Sequence, residues 1–266
     1  MTIDPSSNPK LHLFLESCVG FDIVDDESLR ERPYNDSLPT PDEWTMDYDP
    51  PYALFAYYVY ANMITLNKLR SYRGFSCFSF RPHCGEAGDI EHLAAAFLLA
   101  KSINHGLMLQ KTPALQYLYY LAQIGLSMSP LSNNLLFLEY EKNPFPKFFK
   151  KGLNVTLSTD DPLMIHVTRE PLVEEYSVAA QVWKLSAIDM SEIARNSVLQ
   201  SGFEQRFKSH WIGNSYWLRS LEGNDIRQVR QGEMQQQPCN EPHHHSSVAL
   251  TVRVVLFLLC VADQRS

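Results

Sequence analysis

The chain has 266 residues, of which 45% are hydrophobic and 20% are charged, a composition typical of a globular protein with one large domain or two small ones. Its formal net charge is -7, and no segment concentrates Lys and Arg on one face, which argues against nucleic acid as a partner. The five cysteines are odd in number and form no CxxC pair, which favours a reducing compartment and predicts a cytoplasmic location.

The first fifth of the chain predicts little regular structure. Residues 1–20 lack the basic start and apolar centre of a signal peptide. Residues 1–49 are rich in Pro, Asp, Glu and Ser, and only Val19–Val24 resembles a strand. Asp49-Pro50-Pro51 then predicts the start of a helix that runs to about Leu69 with one apolar face.

Strands and helices alternate from there. A predicted strand at Phe75–Phe80 leads to His83 and Glu86. Further strands are predicted from 102, where Gly106 permits a tight turn after an exposed His105, and from 124 and 153. The predicted helices cover 89–101, begin at Thr112-Pro113, run from Pro171 to Trp183, and extend over Ile193–Leu199 behind a cap of Asp189 with Glu192, with Gly202 as the stop.

The spacing of the strands indicates the fold class. Strand starts at 75, 102, 124 and 153 recur at intervals of roughly 22–30 residues, as in parallel βαβ units. We therefore predict an α/β fold of the (β/α)8 TIM-barrel type. A complete barrel needs ~250 residues and eight strands, whereas four strands and a weaker candidate at 19–24 are found. The prediction is a partial barrel.

Several side chains suited to metal chemistry follow the predicted strands. His83, Glu86, His105 and the pair Asp160-Asp161 lie at strand ends, which converge on one face of a barrel. Imidazole and carboxylate are suitable zinc ligands, and zinc makes hydroxide available near neutrality, so hydrolysis is the indicated reaction class.

Each of these residues also has a purely structural interpretation. A His near a strand end is often structural, and Asp-Asp-Pro often forms a turn with a helix cap. Two adjacent carboxylates repel unless a cation or hydrogen bonds offset the repulsion, which favours the functional reading. The remaining histidines lack comparable neighbours and are interpreted as surface, core or tail residues, namely His12, His92, His166, His210 and His243–His245.

Four motifs together resemble one known family. They are Phe80–Asp89 (FRPHCGEAGD), Ile103–Gly106 (INHG), Met128–Asn133 (MSPLSN) and Leu157–Pro162 (LSTDDP). They are similar to the C-terminal catalytic portion of AMP deaminases, within the adenosine deaminase-like metal-dependent hydrolases. Segments at 143–146, 170–176 and 194–200 favour the AMP branch over deaminases of free adenosine. The resemblance defines a domain at 1–228 and leaves 229–266 as a divergent, poorly ordered tail.

The resemblance implies a chemistry and a set of roles. It implies zinc-dependent hydrolytic deamination of AMP to IMP and ammonia, with one Zn²⁺ per complete site, and a homo-oligomer in the full-length family. It implies that His83 and Asp160 are zinc ligands and that Glu86 contacts the purine. A protonated Glu86 could donate to N1 of the purine, and His105 would accept the water proton. The residues implied to line the base are Asp161, Pro162, Leu163 and Met164.

Two departures from the family lead to alternatives. The family has Gln where this chain has Met164, and its His-x-His ligand pair is absent outside the tail run of His243–His245. With half the zinc ligands missing, we expect impaired activity in this chain. The alternative function is a catalytically inactive interaction or assembly partner of full-length subunits. A third possibility is deamination of another adenine-containing substrate.

Overall fold

The structure is a computed structural model that describes residues 1–32, 35, 37–218 and 223. They form two compact units, Met1–Ser129 with Asn133–Val155, and Pro130–Ser132 with the residues from Thr156 onward. Short parallel strands and helices alternate along the chain, which confirms the α/β class. No helix in the described part of the chain has the length and apolarity needed to cross a membrane. The predicted tail at 229–266 lies outside the described residues.

The helices and strands have the following bounds. In chain order they are α1 (Pro9–Ser17), β1 (Gly20–Phe21), α2 (Tyr52–Tyr72), β2 (Ser79–Phe80), β3 (His83–Cys84), α3 (Glu91–Leu99), β4 (Ser102–His105), α4 (Pro113–Ala122), β5 (Gly125–Met128), α5 (Pro130–Leu136), α6 (Phe145–Lys150), β6 (Val155–Leu157), α7 (Pro162–Ile165), α8 (Pro171–Trp183), α9 (Ala187–Gln200) and α10 (Gln205–Ile212).

The main sheet has the strand order β3-β4-β5-β6, and β3, β4 and β5 pair in parallel. His83 is opposite Asn104, and Ile103 is opposite Leu126. Ile103 and Leu126 are fully buried, as expected for parallel strands that are covered on both faces. The weaker strand candidate at 19–24 is also confirmed, because β1 pairs in parallel with β2 and the backbone N–H of His83 donates to the Ile23 carbonyl at 2.9 Å.

The strand predicted at 75–80 is shorter than expected. Only Ser79 and Phe80 pair as a strand, and His83 lies inside the separate strand β3. Side chains of α2 hydrogen-bond the backbone of the residues just before β2. Asn67 bonds both the N–H and the carbonyl of Phe78 at 2.8 Å, and Arg70 donates to the Ser76 carbonyl at 2.6 Å. These bonds replace those that a neighbouring strand would have made.

The helix predictions are largely confirmed, but the cap of α9 is wrong. The helix begins at Ala187, and its capping box joins Ser186 and Asp189, whose side chains each accept the other residue's backbone N–H. Ser186 has the extended conformation of a capping residue, so the helix begins earlier than the Asp189–Glu192 pattern suggested. It ends at Gln200, with Ser201 rather than Gly202 at its C-cap.

Candidate functional site

His83 is fixed by a carboxylate from the N-terminal segment. The carboxylate of Asp22 accepts the backbone N–H of His83 at 2.8 Å, and its other oxygen lies 2.8 Å from His83 Nδ1. That second oxygen also accepts from Asn104 Nδ2 at 2.8 Å. A histidine whose Nδ1 is held by a carboxylate presents Nε2 to a metal in a defined direction. His83 is therefore built like a metal ligand.

Glu86 and His105 form the second part of the site. His105 Nδ1 lies 3.2 Å from Glu86 Oε1, and the His83 and His105 rings are 4.8 Å apart between centroids. The side chain of Glu86 is 11% exposed. The prediction that His105 is exposed is wrong, since it retains only 1% of its accessible surface. Strand pairing of β4 and the contact with Asn133 enclose it.

A short chain of amides orients the groups around Glu86. Asn133 Nδ2 lies 2.8 Å from Glu86 Oε1 and 3.1 Å from His105 Nδ1. Asn133 Oδ1 accepts from Asn143 Nδ2 at 3.4 Å, and Asn143 Oδ1 accepts the backbone N–H of Phe145 at 2.9 Å. Because the last donor is a backbone N–H, it defines which end of each amide is the acceptor. Asn133 consequently directs its NH2 group at Glu86.

Two of the candidate residues have unusual backbone conformations. His105 has φ of 68° and Asp160 has φ of 54°, both in the left-handed region. Gly106, which follows His105, has φ of 71°, as the predicted tight turn requires. Non-glycine residues in this region are strained, and such residues concentrate at functional sites. Gln123 and Lys184 have the same conformation at helix C-caps, whereas His105 and Asp160 are at no helix end, which motivates the hypothesis that the two positions serve more than packing.

Asp160 belongs to the second unit, where a separate network surrounds it. Ser132 Oγ donates to Asp160 Oδ2 at 2.5 Å. The neighbouring backbone N–H of Leu131 donates to Glu175 Oε2 at 3.2 Å, and Glu175 Oε1 lies 3.0 Å from His166 Nε2. Burial raises the pKa of Glu175, and the hydrogen bond to His166 opposes that shift. Glu175 thus holds the backbone of the segment whose Ser132 orients Asp160.

The residues predicted to contact the base come directly after Asp160 in the chain. Asp161 occupies the N-cap position of α7, and its side chain makes no capping hydrogen bond there. Pro162 occupies the first turn, and Leu163 and Met164 are 85% and 84% exposed. These side chains are accessible to a ligand.

Each unit carries side chains of types that bind metal ions. His83 and His105 bring two imidazole rings together in the first unit, and Asp160 offers a carboxylate in the second. Imidazole nitrogen and carboxylate oxygen are zinc ligands, and the Asp22–His83 contact is the carboxylate support that metal-bound histidines commonly have. The adjacent Cys84 thiol is fully buried, and this burial raises its pKa.

Sequence reasoning missed the residues that support this site. Asp22, which contacts His83, lies in a segment for which little regular structure is predicted. Asn133 belongs to a recognised motif, but the sequence does not indicate that it contacts Glu86. The sequence likewise does not indicate that His166 contacts Glu175. The useful signal was the polar Ser132-Asn133 pair, which lies in the first turn of α5, shortly after the buried strand β5. The partners of Asp22 are 61 and 82 residues away in sequence, beyond the reach of any local pattern.

Comparisons with known proteins agree with this geometry. A family profile described as AMP deaminase matches residues 1–237. The chain is 63% identical over 229 residues to a probable AMP deaminase of Oryza sativa subsp. japonica, covering 86% of this chain and 28% of that protein. It is 56% identical over 246 residues to AMP deaminase 3 of Homo sapiens, covering 90% of this chain and 32% of that protein.

A solved structure supports the fold. The adenine deaminase of Arthrobacter aurescens superposes with a TM-score of 0.50 at 21% identity, over 60% of this chain and 46% of that one. The chain spans less than a third of the length of the two curated relatives named above. With a family profile that matches most of its length, the chain belongs to the AMP deaminase family.

Proposed function

We propose that this chain supplies part of the active site of a zinc-dependent enzyme that hydrolyses AMP to IMP and ammonia. The observation that carries the proposal is the contact of 3.2 Å between Glu86 and His105, next to the carboxylate-bound His83. Membership of the AMP deaminase family supports AMP as the substrate.

Each residue has a distinct role in the proposal. The resemblance to the family implies that His83 and Asp160 would be zinc ligands, and a bound zinc ion would lower the pKa of water to ~7. A protonated Glu86 donates to N1 of the purine and makes C6 more electrophilic, and His105 accepts the proton that the attacking water loses. Asp161 and Pro162–Met164 contact the base. Asn133 keeps the Glu86 carboxyl directed toward His105.

The proposal includes a complete (β/α)8 barrel around this site. The strands β3 to β6 supply part of such a barrel, and a catalytic zinc commonly has three protein ligands. The family's His-x-His pair would add two ligands that the described residues of this chain do not contain. We therefore expect turnover to depend on a segment that carries this pair.

The test compares two proteins supplied with Zn²⁺ and AMP. One is the 266-residue chain, and the other is the same chain joined to the preceding region of the rice relative. We expect IMP formation, measured by chromatography, only in the joined protein. In that protein Glu86→Gln and His105→Asn should each lower kcat by ~10²–10⁴-fold, the usual contribution of a general acid or base.

Residues of the same types outside the site serve as controls, an exposed Glu91 and a half-buried His12. Glu91→Gln and His12→Asn alter side chains outside the site and should retain wild-type kcat. Full turnover by the Glu86→Gln protein would contradict the assigned role. Turnover of adenosine but not AMP would replace the substrate, and absence of IMP from both proteins would refute the function.

A further inference from the structure

Glu27 is a buried carboxylate that the proposed chemistry does not use. It is 8% exposed, although it lies in a segment without regular structure. Its Oε2 accepts the backbone N–H of Gly85 at 2.6 Å, and its Oε1 accepts that of Glu86 at 3.3 Å. A single side chain therefore holds two successive amides of the turn that carries Glu86.

The position of Glu27 is itself fixed from two directions. Its Oε2 lies 3.0 Å from His92 Nδ1, and the other ring nitrogen of His92 lies 2.8 Å from Glu31 Oε1. The backbone of Glu27 passes so close to the turn that a Cβ added at Gly88 would lie 1.7 Å from the Glu27 carbonyl oxygen. Glu27 is consequently closely packed against the whole turn from Gly85 to Gly88.

We propose that Glu27 is a positioning residue for Glu86, acting through the Gly85 and Glu86 amides that its carboxylate holds. This inference rests on the proposed function, in which Glu86 must present its carboxyl group to the purine. Hydrogen bonds to a charged acceptor are stronger than neutral ones, and they fix the backbone from which the Glu86 side chain extends. The conformation of the turn then determines whether Glu86 reaches Asn133 and His105.

The structure provides a reporter of the Glu86 position that does not depend on turnover. Asn133 Nδ2 lies 2.8 Å from Glu86 Oε1, so the side-chain amide signal of Asn133 in an NMR spectrum responds to the place of that carboxylate. Glu27 has no contact with Asn133 among those described here other than through Glu86 and its turn.

The experiment compares the Asn133 signal in labelled 266-residue chains. We expect Glu27→Ala to shift it in the direction that Glu86→Gln does, and Glu27→Gln, which retains one acceptor oxygen, to shift it less. In the Glu86→Gln background, Glu27→Ala should produce no further shift, since both changes act through one carboxyl group. The amide of Gly85 should exchange ~10-fold faster in Glu27→Ala, which corresponds to ~1.4 kcal/mol of lost protection.

His92→Gln is the matched control. It removes the imidazole that contacts Glu27 Oε2 but leaves both Glu27 oxygens as acceptors for the Gly85 and Glu86 amides, so it should lower stability while shifting the Asn133 signal far less than Glu27→Ala does. A Glu27→Ala shift no larger than that of His92→Gln, or one that persists fully in the Glu86→Gln background, would overturn the inference. If Glu27→Ala does not fold, Glu27→Gln decides by the same comparison.

Turnover separates this inference from the proposed function. In the joined protein described above, Glu27→Ala should lower kcat by ~10–100-fold, because misplacing a reacting group by about 1 Å costs on that order. If the wild-type joined protein forms no IMP, the function is wrong, and the Asn133 comparison still decides whether Glu27 positions Glu86. A normal kcat together with a shifted Asn133 signal would limit Glu27 to a structural role.

Discussion

Two glycines of this chain should tolerate an added side chain to different degrees. Gly88 has φ of 66°, and a Cβ there would overlap the Glu27 carbonyl oxygen at 1.7 Å. Gly74 has a similar φ of 74°, but nothing lies within 4 Å of its added Cβ. Comparing the two positions separates the free-energy cost of a left-handed backbone from that of a steric overlap between the added Cβ and its neighbours.

Gly88→Ala should therefore destabilise the chain more than Gly74→Ala. The left-handed backbone alone costs ~1–2 kcal/mol, and the overlap at Gly88 adds ~1–3 kcal/mol. Urea unfolding of both variants gives the two free energies of unfolding. Equal losses would show that the turn moves away from Glu27 without cost, and would weaken the case that Glu27 is closely packed against it.

At the scale of single elements, helix starts in this chain depend on local side chains to different degrees. The starts of α4, α5 and α8 place Pro in the first turn and make no side-chain capping bond. The start of α9 has a complete capping box between Ser186 and Asp189. Its amphipathic surface buries Ile193, Ala194 and Val198, so loss of the cap would loosen the first turn before the packed part.

Ser186→Ala should lower the free energy of unfolding by about 1 kcal/mol, within the range measured for helix caps. Thermal unfolding provides the measurement. Ser191 is the matched control, because its hydroxyl only bonds the Ala187 carbonyl one turn back, and Ala is a better helix former than Ser. Ser191→Ala should be neutral or slightly stabilising; a loss equal to that of Ser186→Ala would contradict the capping role.

The stability of the whole molecule should depend on pH because of the buried His92. Burial lowers the pKa of His92, but hydrogen bonds and charges from Glu27 and Glu31 outweigh it, so the net pKa is raised. The groups that face the ring are those two carboxylates and the stacked ring of Tyr52, 4.4 Å away. A raised folded pKa means that the stabilisation is complete below the unfolded value, ~6.5, and is lost as the pH rises through the folded pKa.

Urea unfolding of wild type and His92→Gln across this range tests the expectation. The wild-type advantage should be largest near about pH 5.5 and should shrink toward about pH 8.5. His210→Gln, a substitution at an exposed histidine, is measured alongside as the control. An advantage that grows with pH would mean that His92 is neutral in the folded protein.

The sequence predicts the features that depend on interactions between residues close together in the chain. The helix at Pro171–Trp183 and the strand before His105 have local signals, namely proline starts, apolar periodicity and a glycine turn, and both were predicted correctly. The candidate residues after the strands were recognisable because strand ends carry function in α/β folds.

The supporting residues were not predictable in the same way. Asp22 and Glu27 lie in a segment without periodicity, and their partners are 58 to 82 residues away. The burial of His105 likewise depends on Asn133, 28 residues later. A carboxylate in such a segment is indistinguishable from a solvent-exposed one until the chain has folded around it.

The left-handed conformations of His105 and Gly106 have an evolutionary consequence. A non-glycine residue at such a backbone angle costs on the order of 1–3 kcal/mol, so selection for stability alone would replace His105. Its retention would reflect a conflict between activity and stability at this position, of the kind that limits how far natural enzymes are stabilised. Stabilising substitutions elsewhere in the chain would be free of that conflict, whereas those at the turn after β4 would not.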